Sequence, residues 1–288
     1  MKNRNIKILL ISVIILSTFT YIINSKIDEQ NQEKFRLFIP SLKQSINDIN
    51  QINIRKTNNE QILLEKINDH WKVSGKWEYP ANYQLINKLL ISLVEAKIIE
   101  EKTSDQRLYN RLGVEDLSLD NNDSTEITFK GEGIKYTIIY GHTNQNKNRY
   151  VRISGTTASW LIDQNPDIPE DTTNWLNKTI TDIDSSKIMQ VMIPQLDKSN
   201  IIIKKESEES ADFKIDNVPL DRELSYPTII NSVGSFLSNL ELEDIRPATE
   251  NAQLIFTEFQ TFKGLTIKVK LMPKENENWI SISFEKKE

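Results

Sequence analysis

Short apolar runs, some of which alternate with polar residues, recur along this chain and constrain its fold more than any other feature. Runs of this kind predict strands, and alternation predicts that a strand is half-buried. The runs come in two series of three, at residues 52–54, 62–64 and 71–73, and then at residues 191–193, 201–203 and 213–215. Val191 follows Ile52 by as many residues as Ile201 follows Ile62. The sequence therefore predicts that one antiparallel sheet has been duplicated within the chain.

An amphipathic helix is predicted after each series, because apolar residues then recur at helical spacing. These residues are Ile86, Leu89, Leu93 and Ala96 in the first half, and Ile230, Val233, Leu237 and Leu240 in the second half. Further strands are predicted at residues 127–129, 136–140, 150–153 and 159–162, and then at residues 254–256, 265–269 and 279–284.

We therefore predict an α+β protein, in which an N-terminal transmembrane helix precedes two duplicated units. Each unit consists of an antiparallel sheet with one packed amphipathic helix. The predicted boundaries are residues 1–27 for a cytoplasmic tip and membrane anchor, 28–48 for a stalk or helix, 49–180 for the first unit and 181–288 for a second, shorter unit.

The transmembrane helix is predicted from an apolar run that begins at Ile6 and ends at Ile23. Its eighteen residues would span roughly 27 Å as a helix, close to the thickness of a bilayer's hydrocarbon core. Lys2, Arg4 and Lys7 are at its start, so the positive-inside rule places the N-terminus in the cytoplasm. The predicted anchor residues are Ile6, Ile8, Leu9, Leu10, Ile11, Val13, Ile14, Ile15, Leu16, Phe19, Tyr21, Ile22 and Ile23.

A cleaved signal peptide and a soluble core helix are the alternatives to this anchor. A signal peptide usually has a shorter apolar core, of about 7–15 residues, followed by a cleavage site with small residues. Tyr21, Ile22 and Ile23 are bulky at that position, which favours an uncleaved anchor. The remainder of the chain would then lie outside the bacterial inner membrane, in the periplasm.

The composition excludes some classes of function. The formal net charge of −5 gives no basic surface of the kind that nucleic-acid partners require. Because the chain contains 0 Cys, it has no disulfide, thiol nucleophile or thiolate ligand. His70 and His142 are the only histidines, so a zinc site would need both together with distant carboxylates. We predict no catalytic residue, metal site or cofactor.

The strand-to-helix loop offers a candidate surface for a protein partner. Trp77 and Tyr79 lie in it, and aromatic side chains are enriched at protein interfaces. The alternative is that both residues pack against the helix that follows.

An ordered set of motifs resembles one bacterial family. The motifs are His70-Trp71-Lys72-Val73, Tyr79-Pro80-Ala81-Asn82, Glu101-Lys102-Thr103, Tyr109-Asn110-Arg111-Leu112-Gly113-Val114-Glu115-Asp116, Ile139-Tyr140-Gly141, Tyr150-Val151-Arg152 and Trp175-Leu176-Asn177-Lys178. In this order they resemble the domain-of-unknown-function 4340 family, over about residues 45–195. Asn82 departs from the pattern, since relatives often have Asp there.

The resemblance implies a membrane-anchored envelope protein that is associated with ABC-type transport components related to those of gliding motility. It supplies no catalytic residue. We therefore expect a non-enzymatic accessory or interaction subunit of an ABC-type or envelope complex. The alternatives are a periplasmic small-ligand-binding or sensor component and, third, a hydrolase with dispersed catalytic residues.

Overall fold

The computed structural model describes residues 17–18, 20–21, 36–56, 61–117, 123–195, 199–216, 226, 228–248, 256–274 and 277–286. The chain divides into two units, Met1–Asn177 and Lys178–Glu288. The described part is mostly β-sheet with few helices. No helix among these residues is both long enough and apolar enough to cross a membrane. Of the predicted anchor residues only Tyr21 is described, with a side chain that is 76% exposed, and the others lie outside the described residues.

From residue 36 onward, the described part of the first unit contains nine strands and three short or medium helices. The strands are β1 (Ile49–Lys56), β2 (Gln61–Ile67), β3 (His70–Val73), β4 (Tyr79–Pro80), β5 (Ile98–Glu101), β6 (Thr125–Gly131), β7 (Ile134–Thr143), β8 (Arg149–Ile153) and β9 (Ser159–Ile162). The helices are α1 (Leu42–Ser45), α2 (Tyr83–Glu95) and α3 (Tyr109–Leu112), with 3-10 turns at Ile46–Asp48, Gln106–Leu108 and Thr172–Trp175.

All nine strands form one antiparallel sheet, in the order β4-β3-β2-β1-β6-β7-β8-β9-β5. Two runs of consecutive strands, β1 to β4 and β6 to β9, meet where β1 pairs with β6. Ile52 lies opposite Phe129 in this pairing, and both side chains are fully buried. Since strand side chains alternate between faces, Asn53 and Arg55 lie on the opposite face of the sheet.

Helix α2 has the predicted apolar stripe. Asn82 caps its start, because the Asn82 side-chain oxygen accepts a hydrogen bond from the backbone N–H of Leu85 at 3.1 Å. Ile86, Leu89 and Leu93 are at most 1% exposed. Each side chain of this kind stabilises the fold by about 1.5–3 kcal/mol when it is buried.

The segment predicted as a stalk or helix over residues 28–48 packs into the first unit from residue 36 onward. Leu37 forms a β-bridge with Lys97, and the backbone N–H of Phe38 donates to the carbonyl oxygen of Ala96 at 2.7 Å. Leu42 is fully buried. Phe38, Ile39 and Leu42 are all buried, whereas a solvated stalk would expose these apolar side chains.

The second unit has a six-stranded antiparallel sheet and a separate pair of short strands. Its strands are β10 (Thr179–Thr181), β11 (Ile188–Pro194), β12 (Asn200–Lys204), β13 (Lys214–Ile215), β14 (Leu240–Glu241), β15 (Phe256–Thr261), β16 (Leu265–Lys274) and β17 (Glu277–Lys286). It also contains α4 (Ile229–Gly234) and a 3-10 turn at Ser185–Lys187.

The large sheet of the second unit has the strand order β13-β12-β11-β15-β16-β17. The order β3-β2-β1-β6-β7-β8 in the first unit has the same connectivity. Val191 lies opposite Phe259 in this sheet, as Ile52 lies opposite Phe129 in the other. Both Val191 and Phe259 belong to the buried core of the second unit.

The second amphipathic helix is shorter than predicted. The apolar spacing predicted a helix through Leu240, but α4 ends at Gly234. Turns follow, and Asn239 has a left-handed backbone with φ of 49°. Leu237 is nevertheless fully buried. It reaches the core from a turn, whereas the sequence predicted that it would do so from a helix.

Candidate functional site

A polar groove crosses the middle of the first unit's sheet, on the face opposite Ile52 and Phe129. Its volume is about 320 Å³. We call it the basic groove, and its lining residues are Asn53, Arg55, Glu126, Thr128, Lys130, Lys135, Thr137 and Ser154. They come from β1, β6 and β7 and from the turn after β8, so the groove exists only when these strands are paired.

The first cross-strand row of the groove is an ion pair. Arg55 of β1 lies opposite Glu126 of β6, and the Arg55 Nε donates to the Glu126 carboxylate at 3.1 Å. A second donor, Nη2, contacts the same oxygen. The Glu126 side chain is 9% exposed and the Arg55 side chain is 49% exposed. The buried carboxylate is therefore neutralised, and part of the guanidinium remains in contact with solvent.

The second row is uncharged. Asn53, Thr128 and Thr137 lie side by side across β1, β6 and β7. The two threonine hydroxyls are hydrogen-bonded at 3.0 Å. The Oδ1 atom of Asn53 is buried and has no hydrogen-bond partner among the described residues. A buried acceptor without a donor costs about 1–3 kcal/mol, so Asn53 lowers the stability of this row.

The third row carries two positive charges. Lys130 of β6 lies directly opposite Lys135 of β7, and both side chains are exposed. No ion pair links either lysine to a carboxylate within the described ranges. Like charges directly opposite one another destabilise a strand pair. A negatively charged group between these lysines would relieve that repulsion.

A carboxylate, that of Glu65 in β2, lies in the same row as these lysines, with Gln51 of β1 between it and Lys130, but other groups hold it. Ser74 Oγ donates to Glu65 at 2.5 Å, and Gln51 Nε2 donates to it at 2.9 Å. The Ser74 hydrogen bond is the largest cause of a Glu65 pKa below the ordinary value of 4.5, and the charge of Lys130 lowers this pKa further. Glu65 thus stays ionised near one end of the groove.

A buried arginine lies beside the groove on the same face of the sheet. Arg152 is 2% exposed, and its Nε donates to the Val114 carbonyl oxygen at 2.9 Å. Its Nη1 donates to Thr156 O at 3.1 Å, and its Nη2 donates to Asp116 at 2.8 Å. The guanidinium carbon is 4.6 Å from the ring centroid of Tyr109. We call these five residues the arginine clasp.

The arginine clasp rests on a small apolar core and on close backbone packing. Tyr109, Val114 and Ile139 form this core on the same face of the sheet as the basic groove. Gly141 allows the close approach, because a Cβ atom there would lie 2.1 Å from the carbonyl oxygen of Leu112. The sequence motifs that contain these residues therefore share a structural task, which is to hold the 102–116 segment over β7 and β8.

The two residues of the predicted partner surface, Trp77 and Tyr79, differ in their exposure to solvent. Trp77 is 58% exposed, in a turn where its backbone φ is 49°. Tyr79 is half-buried in β4, opposite Val73, and burial raises the pKa of its hydroxyl above 10.0. Only Trp77 thus presents most of its side chain to solvent, and its role in partner contact stays a prediction.

The histidines lie apart from the basic groove. His70 begins β3, and His142 is near the end of β7. His142 Nε2 is 3.9 Å from an exposed Asp123 oxygen. No group of three or more His, Asp or Glu residues that could hold a metal occurs in the described part of the chain.

The basic groove was not predicted from the sequence. The feature that could have indicated it is the alternation of polar residues in β1 and β6, where Asn53 lies opposite Thr128 and Arg55 lies opposite Glu126. Without the strand register, such residues are indistinguishable from an ordinary solvated face. Only the pairing of two strands that are distant in sequence shows which polar groups are neighbours.

Comparison with known proteins yields one family match. The family model described as "Domain of unknown function (DUF4340)" matches residues 71–258. The match begins in β3 and ends in β15, so it extends further into the second unit than the motifs did. No curated protein and no solved structure matches the chain.

Proposed function

The chain belongs to the DUF4340 family, and on this premise we propose that it is a non-enzymatic interaction subunit, anchored in the bacterial inner membrane. In this proposal the N-terminus is cytoplasmic and both units are periplasmic. The partner is a component of an ABC-type transport or envelope complex. The apolar run from Ile6 to Ile23, with its basic flank, supports the anchoring.

The basic groove is the observation that carries the interaction role. Arg55, Lys130 and Lys135 supply three positive charges, and Glu126 supplies one negative charge. The chain as a whole has a formal net charge of −5, so the positive charge of the groove is opposite in sign to the charge of the whole molecule. It favours a partner surface that is acidic.

The geometry of the groove favours an extended segment of the partner. Its rows run across three strands of a regular sheet, and the uncharged second row separates the two charged rows. An acidic peptide could place a carboxylate between Lys130 and Lys135. The exposed Trp77 would add a separate aromatic contact.

Co-purification of the full chain in mild detergent tests this proposal. The double variant Lys130→Glu, Lys135→Glu reverses the charge of the third row. We expect it to reduce recovery of the membrane partner at least about tenfold, since removal of a charged contact across an interface costs about 2–5 kcal/mol. The matched control is Lys43→Glu, Lys88→Glu, which changes the net charge equally at two exposed helical positions.

Two results would contradict the proposal. The control pair could reduce recovery as much as the groove pair, which would attribute the effect to net charge. Alternatively, a reporter fused to the C-terminus could be active only in the cytosol, which would contradict the periplasmic location. Recovery of the partner by the control but not by the groove variant, with a reporter active in the periplasm, supports both parts.

A further inference from the structure

The last strand of the second unit forms an unusually long sheet edge. β17 pairs with β16 over ten residue pairs, from Glu277 opposite Lys274 to Lys286 opposite Leu265. Within the described residues, β15 pairs with β16 from Lys270 to Thr266. The β16–β17 hairpin lies after residue 258, where the family match ends.

The outer edge of β17 has no partner strand within the described residues. Unpaired backbone N–H and C=O groups along an edge strand are a template for pairing with another chain. Natural edges are usually protected by charges, proline or a bulge. From Trp279 to Phe284 β17 has none of these, since its charged residues, Glu277, Glu285 and Lys286, lie only at its two ends.

The side chains of this edge are apolar on the face that continues the core. Ile280 and Ile282 pack against the core of the second unit and are only partly buried. Phe284 follows on the same face and is 52% exposed. Leu271 lies opposite Ile280 in β16 and is 55% exposed. Another strand added beside β17 would cover this apolar row.

We propose that β17 pairs in antiparallel orientation with the β17 strand of a second copy of this chain, in the register centred on Ile282. The two six-stranded sheets would then become one continuous sheet, and the symmetry would be a closed twofold. In this register Ile282 lies opposite itself, and Ile280 lies opposite Phe284 of the other copy. The opposite face pairs Ser281 with Ser283.

The neighbouring registers are less favourable because a twofold pairing must keep each side chain on its own face. Centring on Ser281 would place Glu277 opposite Glu285 of the other copy, and like charges directly opposite are destabilising. Centring on Ser283 would place Ile280 opposite Lys286. The register centred on Ile282 instead brings the apolar residues of the two copies together.

Cysteine cross-linking tests both the interface and its register, and the absence of native Cys removes any background. Directly opposite Cβ atoms lie about 4.5–5.5 Å apart, whereas diagonal neighbours are about 7–8 Å apart. We therefore expect oxidation of a co-expressed mixture of full-length Ser281→Cys and Ser283→Cys to give a disulfide-linked dimer. Either variant alone should cross-link several-fold less. Ser232→Cys, at an exposed position on α4, is the control.

A second measurement does not depend on disulfide formation. Light scattering of the full chain in detergent should give the mass of two chains, with Phe284→Lys raising the dissociation constant at least about tenfold. Tyr226→Lys is the matched control, because Tyr226 is 53% exposed in the same unit. Monomeric wild-type chain, equal dimerisation of the two lysine variants, or equal cross-linking of the mixture and Ser232→Cys would each overturn the proposal.

Discussion

Replacement of Arg152 by Met tests the structural role of the arginine clasp. Met retains an apolar stem over the Tyr109 ring, but it has no donor for the carbonyl oxygens of Val114 and Thr156. A buried acceptor that loses its donor costs about 1–3 kcal/mol. Asp116 adds little to this cost, because its side chain is 53% exposed and water can replace the guanidinium. Because Thr156 is exposed and water can replace the donor there, we expect a loss of about 1–3 kcal/mol, mainly from the buried carbonyl group of Val114.

The loss should appear in the unfolding of the first unit. At about 2–4 °C per kcal/mol for a unit of this size, the midpoint should fall by about 2–12 °C. Tryptophan fluorescence is a suitable probe, because four of the chain's five Trp residues are in the first unit and Trp279 is the exception. Denaturant unfolding monitored in this way gives the free energy of unfolding directly.

The matched control is Arg107→Met, in the same 102–116 segment. The Arg107 side chain is 88% exposed, and it contacts Asp105 two residues earlier. Its replacement should produce no measurable change, since exposed ion pairs contribute little. Equal unfolding midpoints for Arg152→Met and Arg107→Met would show that the arginine clasp does not hold this segment on the sheet.

Two further substitutions test close packing and a pH-dependent contact. Gly141→Ala should destabilise the first unit more than Gly133→Ala in thermal unfolding, because its Cβ would clash with Leu112 O, whereas Ala at position 133 meets open space and is strained only by the φ of 68°. Equal midpoints would contradict this. Ser74→Ala should raise the pKa of Glu65 toward 4.5, measured by carboxyl NMR titration. Since the folded-state pKa is lowered, the stability from this contact is present above the unfolded value and lost as pH falls through the folded value. A mutant penalty that grows in acid would contradict the assignment.

The strands and the first helix could be predicted because local patterns determine them. Ile52, Ile86 and Leu93 occur at the period of their elements, and all are buried. The second helix was predicted too long, because the spacing of Leu237 and Leu240 fits a helix as well as it fits the turns that the structure contains. Periodicity identifies buried positions more reliably than it identifies where a helix ends.

The basic groove could not be predicted, because it depends on register between distant strands. Lys130 and Lys135 are close in sequence, and they lie between the strands predicted at residues 127–129 and 136–140. Arg55 and Glu126 are 71 residues apart, and no local pattern pairs them. The arginine clasp had a partial signal, since the motifs around Tyr109 and Arg152 were recognised as family features. Their mutual contact required the folded sheet.

The central position of β1 has a kinetic consequence for the first unit. Its pairing with β2 needs only a short loop and can form early, whereas its pairing with β6 must bring together segments separated by the whole of α2. Closure of long loops slows folding, because the entropy is lost before the contacts form. Until β6 pairs with it, one edge of β1 has backbone N–H and C=O groups without a partner strand. A chaperone that shields β1 during synthesis would act before β6 pairs with it.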